Sequence, residues 1–567
     1  MVSQRLALAE RLVEDGDLGQ AQRVIAELLA GDPRDACALH LAGRIERLAG
    51  RTDAALARLE QAAEIAPERV ATRLEIAALH RSALNLEAAY DELALALHYE
   101  PENATAHYEL GSLHRQRGNQ ESAIECLRKA IALDPSHALA HAELGFLYLK
   151  KELYDEALEV LERGVELDAK SFAVQSNLGY VYVKLEQYER AHELYSRLCA
   201  KMPRSILWPR INLGNALDHT GRFEEAERVY SHILAYEPHN YAAHWNRADN
   251  LLARGEFETG WPEYQYRLQM EGIWHPRLVP FAPWKGESLD GKTVVISAEQ
   301  GLGDQIMFAS CLQEVTAGAA KVVLECDHRL EALFQRSFPQ VKVIGSRQEM
   351  VPTWLREAAP ADFHIPAGSM PGFVRRKLSD FPEHRGYLRA DPQKVARWKE
   401  WLESLGAGLK VGLSWRGGTR GTRRRLRSLS LEDLLPLLRL PGCRFVCLQY
   451  GDVAGDLERM RAEHGIAIAY RKEAIADYDE TAALCAALDL TVSVCTSVIH
   501  LNGALGKPAW VMVPSVPEWR YGRRGERMPW YPSVKLLRQA QGAEWAQVIE
   551  RVRGALQRRI AGEPPLG

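Results

Sequence analysis

A 34-residue period runs through the first 240 residues and constrains the fold more than any other feature. Pro33, Pro67, Pro101 and Pro135 lie 34 residues apart; the same phase continues through Ala169 and Pro203, and reaches Pro238 after one inserted residue. Gly43, Gly111, Gly145, Gly179 and Gly214 stand 24 residues before the proline position, and Ala21, Ala55, Ala89, Ala123, Ala157, Ala191 and Ala226 stand 12 before it. A helix pair explains all three series. Glycine on the first helix and alanine on the second let two backbones approach, and proline opens the connection to the next pair because it cannot continue a helix. Each unit buries its apolar face only against its neighbours, so the repeats must stack into a solenoid with a long concave groove.

This 34-residue pattern resembles the tetratricopeptide repeat. Seven repeats are expected over about residues 2–240, and a degenerate eighth starts at Tyr241, with Gly260 where the alanine belongs; the repeat domain is placed at 2–275. On the first helix of each repeat, the position two before the glycine reads Glu75, Glu109, Glu143, then Asn177, Asn212, Asn246. An amide both donates to and accepts from a peptide backbone whatever its sequence. The three asparagines resemble the ladder that holds extended acceptor peptides in O-GlcNAc transferases, and the three glutamates favour a basic or polar partner segment.

From Lys292 the pattern changes to short β-branched runs alternating with helices. Pro276, Pro280 and Pro283 mark the linker. Strands are expected at Thr293–Ser297, Lys321–Cys326 and Val341–Ile344. After a helix at Pro392–Leu405, further strands are expected at Lys410–Trp415, Arg444–Gln449, Leu490–Val494 and Ala509–Val513. Alternation of this kind implies parallel sheets. Two α/β lobes, 279–390 and 391–560, are the economical reading, with the last helix packing back across the first lobe.

Parallel sheets bind ligands at the carboxyl ends of their strands, so four loops stand out. Glu299-Gln300-Gly301-Leu302-Gly303-Asp304-Gln305 joins a strand to a helix. Gly301 and Gly303 let backbone come close to a ligand, and Gln305 follows them into the helix. Asp304 is placed either to take a proton from a hydroxyl or to cap the helix. The loop from Ser414 through Arg416 and Gly417 to Ser428 carries six arginines (Arg416, Arg420, Arg423, Arg424, Arg425, Arg427), a density suited to phosphate. Gln449-Tyr450-Gly451-Asp452 offers backbone and a ring to a nucleobase. Cys495-Thr496-Ser497 followed by His500 puts hydroxyls at a helix N-terminus, where free amides and the helix dipole favour a diphosphate. Asp477-Tyr478-Asp479 reads as a helix entry rather than a metal site.

Lys+Arg is 71 and Asp+Glu is 75, a net charge of −4, which argues against a general nucleic-acid binder. Nine scattered cysteines suit free thiols in a reducing cytoplasm. No secretory leader or membrane span is expected.

The second half resembles a GT-B glycosyltransferase of the ADP-heptosyltransferase-like group. The likeness rests on the Gly301-Leu302-Gly303-Asp304 loop, the strand-to-helix segment Leu490–Pro508 and the tail Trp530-Tyr531-Pro532-Ser533-Val534. Joined to tetratricopeptide repeats, it is also similar to bacterial flagellin-modifying glycosyltransferases. The resemblance implies a GT-B module of two Rossmann-like lobes, the first receiving the acceptor and the second a nucleotide sugar, with no metal or other cofactor. It implies Asp304 as base, Gly301, Gly303 and Gln305 along the acceptor loop, and Ser414, Arg416, Gly417, Arg427, Gln449, Thr496, Ser497 and His500 around the donor. Cys495 stands where heptosyltransferases usually carry an Asp that contacts the sugar, which puts heptose in doubt. The expectation is a bacterial, cytoplasmic protein O-glycosyltransferase whose superhelix holds an acceptor protein, flagellin being one candidate. The alternatives are a non-catalytic scaffold and an enzyme assembling lipopolysaccharide or capsule glycans.

Overall fold

The structure is a computed structural model describing residues 2–270, 279–347, 353–358, 360–418 and 424–563. Pro276, Arg420 and Arg423 lie outside them. The chain divides into two compact units, Met1–Ala200 and Lys201–Gly567.

Sixteen consecutive helices run from Val2–Glu14 to Phe257–Tyr264, followed by an α/β region with two parallel-rich sheets. The glycine phase has the expected cause. A Cβ on Gly43 would meet the Leu59 side chain at 2.5 Å, and one on Gly145 would meet Leu161 at 2.4 Å. The same position faces Tyr195 at Gly179 and Tyr230 at Gly214. Every such glycine lies sixteen residues before its partner, one helix crossing per repeat. The turn between the helices of a pair takes a left-handed residue. It is glycine at Gly16, Gly50, Gly118, Gly221 and Gly255, but Leu84, Glu152 and Glu186 hold the same conformation with φ of 57–61°.

In the second unit, β1 (Ala282–Pro283), β2 (Thr293–Ser297), β3 (Lys321–Asp327), β4 (Lys342–Ser346) and β5 (Phe363–Pro366) form a parallel sheet in the order β1-β5-β2-β3-β4. The second sheet contains β6 (Leu409–Ser414), β7 (Cys443–Cys447), β8 (Leu490–Val494), β9 (Ala509–Val513), β10 (Arg527–Met528) and β11 (Tyr531–Arg538), in the order β10-β11-β9-β8-β6-β7. All its pairs are parallel except β10 with β11. In each sheet the first long strand, β2 or β6, has neighbours reached by crossovers in opposite directions. That opens a crevice at the carboxyl ends of β2/β5 and of β6/β8.

Two features differ from the sequence reading. The last helix, Trp545–Ile560, packs on β9 and β11, where Val548, Val552 and Leu556 join the core of the second lobe; it does not cross the first. Its apolar stripe is covered by the sheet nearest to it in sequence. The last repeat helices also share a core with the α/β lobes. Leu252, Phe257, Trp261 and Tyr264 pack in one cluster with Val294, Ile306 and Tyr531, so packing groups these repeats with the lobes, whereas secondary structure separates them near residue 275.

Candidate functional site at the carboxyl ends of the two sheets

At the mouth of the first sheet, Gln300 holds a left-handed backbone with φ of 61°, an uncommon conformation for a residue with a side chain. Its amide is fixed by donation to the Tyr264 hydroxyl at 2.7 Å. The next residues open the helix Leu302–Ala309, and Asp304 accepts from the Gly301 N–H at 3.3 Å. Asp304 therefore does cap its helix. Its other oxygen takes an ion pair from Arg520, which follows β9 in the second lobe. Burial alone would lower the Arg520 guanidinium, but Asp304 and Glu518 outweigh it and hold it above the ordinary arginine range. Gln305 is buried; it donates to the Gln300 carbonyl and accepts from the Asp327 N–H at 2.8 Å, tying the loop to the end of β3.

Gly303 explains why glycine is needed here. A Cβ would stand 2.9 Å from Cδ2 of His500. The helix carrying the candidate base thus lies against the helix Ser497–Ala504 carrying the candidate diphosphate site. His500 is buried, with Nδ1 3.1 Å from the Tyr531 hydroxyl and Nε2 3.5 Å from that of Tyr521. Burial, then Arg520 and Arg427, push this imidazole well below its usual pKa, so it is neutral at pH 7. A neutral ring tied to two phenols orients its neighbours and offers a diphosphate no positive charge.

Thr496 is buried and within 3.0 Å of the Ser493 hydroxyl; Ser497 is half-buried, its carbonyl accepting from Tyr478. Neither hydroxyl caps the helix through its side chain. The arginine loop comes back on itself: Gly417 donates to the Ser428 hydroxyl at 3.2 Å, and Arg416 bridges to Ser428. A Cβ on Gly417 would meet the Cys495 carbonyl at 2.6 Å, so the loops after β6 and β8 are in direct backbone contact. Arg416 pairs with Asp456 at 2.7 Å and Arg427 with Glu518. Gln449 is spent internally. Its carbonyl accepts from Ser414 and from the Trp415 and Arg416 N–H groups at 2.9 and 2.7 Å, and its amide donates to the Arg416 carbonyl at 3.1 Å.

The structure therefore brings Gly301, Gly303, Asp304 and His500 together, and sets Gly417 beside Cys495. Ser414 and Gln449 are buried behind them. Sequence reasoning missed Arg520, Tyr521 and the pair Arg267–Glu299, and gave Tyr531 no role beyond its place in the tail. That pair is bidentate at 2.7 and 2.6 Å with both side chains at most 1% exposed, and Glu299 also accepts from the Gly368 N–H. It ties the chain just after β2 and β5 to the turn that follows the last repeat helix.

In the repeats, the glutamates are not free acids. Glu75 pairs with Arg47 at 2.7 Å, Glu109 with Arg81 at 2.9 Å and Glu143 with Arg115 at 3.2 Å. A basic partner is thus not called for by unpaired charge at these positions. Asn177 in the first unit, and Asn212 and Asn246 in the second, are half-buried, and their side chains have no hydrogen-bond partner among the described residues. Asp477 caps the helix Tyr478–Ala487 through the Asp479 N–H, and Asp479 pairs with Arg336 and Lys394. No helix of the described residues is long and apolar enough to cross a membrane.

Models of the tetratricopeptide repeat match residues 6–70, 111–152, 138–171 and 211–267. Repeats of this kind typically mediate protein–protein interaction. Protein FlbA of Caulobacter vibrioides is 35% identical over 324 residues, which cover 55% of this chain and 54% of FlbA. The chain thus spans about half the length of this curated relative. Among solved structures, PilF of Pseudomonas aeruginosa is similar at 16% identity and a TM-score of 0.34, over 35% of this chain and 90% of that one. MamA of Desulfovibrio magneticus RS-1 is similar at 22% identity and a TM-score of 0.27, over 30% and 97%.

Proposed function

We propose that the α/β region is a glycosyltransferase that moves a sugar from a nucleotide sugar to a Ser or Thr of a protein held by the repeats. One observation carries this reading: the Gly303–His500 contact sets Asp304 beside the helix that starts at the β6/β8 crevice. Ligands of open parallel sheets sit in such crevices. The diphosphate would lie on the N-terminus of the helix Ser497–Ala504, near Gly417 and the arginines of the following loop. Asp304 would accept the acceptor's hydroxyl proton as that oxygen attacks the sugar's anomeric carbon and the bond to the diphosphate breaks. Amide and guanidinium donors would stabilise the charge developing on the leaving phosphate. One oxygen of Asp304 is held by Arg520, so the pair must open or pivot as the acceptor binds.

Calorimetry with UDP, GDP, CMP and ADP tests the donor half, with micromolar binding of one of them expected. Mass spectrometry of proteins co-purified with the chain tests the transfer half. Sugar additions should appear with the wild type and vanish with Asp304→Ala, while nucleotide binding survives. Undiminished transfer by that variant would remove Asp304 from the mechanism. The non-catalytic scaffold is favoured by a different observation: His500, Gln449, Ser414 and Arg427 all have partners within the chain. No binding of any nucleotide would decide for it.

A further inference from the structure

A cavity of about 1050 Å³ in this unit shares Arg520 and Tyr521 with the site above but is not lined by Gly417, Thr496, Ser497 or His500. It is bounded by the turns of the last repeats (Gly221–Glu224 and Leu252–Phe257), by Leu378–Glu383, and by the long loop between β9 and β11. Its size lies at the upper end of the range of ligand pockets.

Its walls are aromatic. Phe257 and Phe381 rings lie 5.0 Å apart, Phe381 and Trp530 4.9 Å, and Trp519 and Trp530 6.2 Å. At the rim Leu378 is 64% exposed, unusual for a large apolar side chain. Trp519 and Trp530 are only 5% and 3% exposed, and no described residue accepts from either indole N–H, although neither nitrogen is itself closed off from solvent. Trp261, packed against both, does have an acceptor, the Arg375 carbonyl at 2.8 Å. The Trp519 and Trp530 indole N–H groups are thus open to an acceptor supplied from outside the chain.

Charge narrows the choice of ligand. Of the cavity's five arginines, Arg254 pairs with Glu256, Arg527 with Glu383 and Arg520 with Asp304, and Arg523 lies over the Phe223 ring. The same walls carry Glu224 and Glu526. Five arginines thus face four glutamates around the cavity, a near balance that suits a ligand of low net charge. Backbone carbonyls on an extended chain with apolar side chains meet these terms, and proline meets them best because it adds no competing N–H. Aromatic grooves recognise such segments in other folds.

We propose that this cavity docks an extended polypeptide segment of low charge, rich in proline or other apolar residues, whose carbonyls accept from Trp519 and Trp530. The site is separate from the repeat groove and does not depend on sugar transfer. Through Arg520, which stands next to Trp519 in the chain, an occupant would sit beside Asp304.

The test is selection of a random twelve-residue display library on the full-length protein, followed by titration of the enriched peptides. Enriched sequences should be rich in proline and apolar residues. Trp530→Phe and Trp519→Phe, which keep a ring but remove the donor, should each weaken binding about five- to fiftyfold. Leu378→Asp, at an exposed site where folding is not at stake, should weaken it at least fivefold. The proposal is overturned if no peptide is enriched, if enriched peptides bind Leu378→Asp as tightly as wild type, or if the tryptophan variants lose UDP or GDP binding instead of peptide binding.

Discussion

Single residues set the geometry of the site, and glycines show it best. The Gly303 Cα lies against the His500 ring, so one added methyl must push a buried imidazole off two tyrosine hydroxyls. Gly303→Ala should cost about 1–3 kcal/mol in denaturant unfolding. Combining it with His500→Ala should recover part of that, because the clash partner is gone; strict additivity of the two would refute the contact. The sequence displayed part of this arrangement. Hydroxyls followed by a histidine at a helix start, and Gly-x-Gly-Asp after a strand, are local patterns. Arg520, and the contact of Tyr531 with His500, were not legible, because each meets its partner across more than thirty residues of chain and neither carries a spacing signal. Gln449 looked available for a base because its burial behind Ser414 is a tertiary fact.

Elements carry the next level of constraint. The turn within each repeat demands a left-handed residue, and Leu84 fills it while 79% exposed. Leu84→Gly should stabilise the first unit by about 1 kcal/mol, since a side chain in this conformation costs about 1–2 kcal/mol; a lowered urea midpoint would count against it. The charge of Glu75, Glu109 and Glu143 is answered within the repeats at this scale. Their partners Arg47, Arg81 and Arg115 are themselves 34 residues apart, so the signal was present one repeat earlier in the chain. The pair Arg267–Glu299 gave no such signal, because it joins a single turn after the last repeat to the end of β2. Glu299→Ala leaves a guanidinium buried without its carboxylate and should cost about 3–5 kcal/mol. Replacing both residues by methionine should restore much of the loss, as measured by chemical denaturation.

At the scale of the whole second unit, the last repeats and the sheets share one core, and a buried carboxyl makes that coupling measurable. Asp218 accepts from the Tyr230 hydroxyl at 2.8 Å and from the Asn250 amide at 2.7 Å. Burial pushes its carboxyl up to about 8, against opposing contributions from Tyr230 and Arg523. The folded form keeps this proton up to about pH 8, whereas the unfolded chain releases it near its ordinary value of 3.8. The group's contribution is therefore full below about pH 4 and is lost as pH rises toward 8. Asp218→Asn cannot ionise, and an amide there still accepts from Asn250. Its thermal midpoint relative to wild type should rise steadily between about pH 5 and pH 8. Asn250 lies on the same helix as Leu252, which packs with Val294 and Ile306. If repeats and sheet unfold together, the substitution should slow global hydrogen exchange at about pH 8 in Val294–Ile296 as much as in Phe223–Tyr236. Slowing confined to the repeat helices would mean that the shared core does not make one cooperative unit.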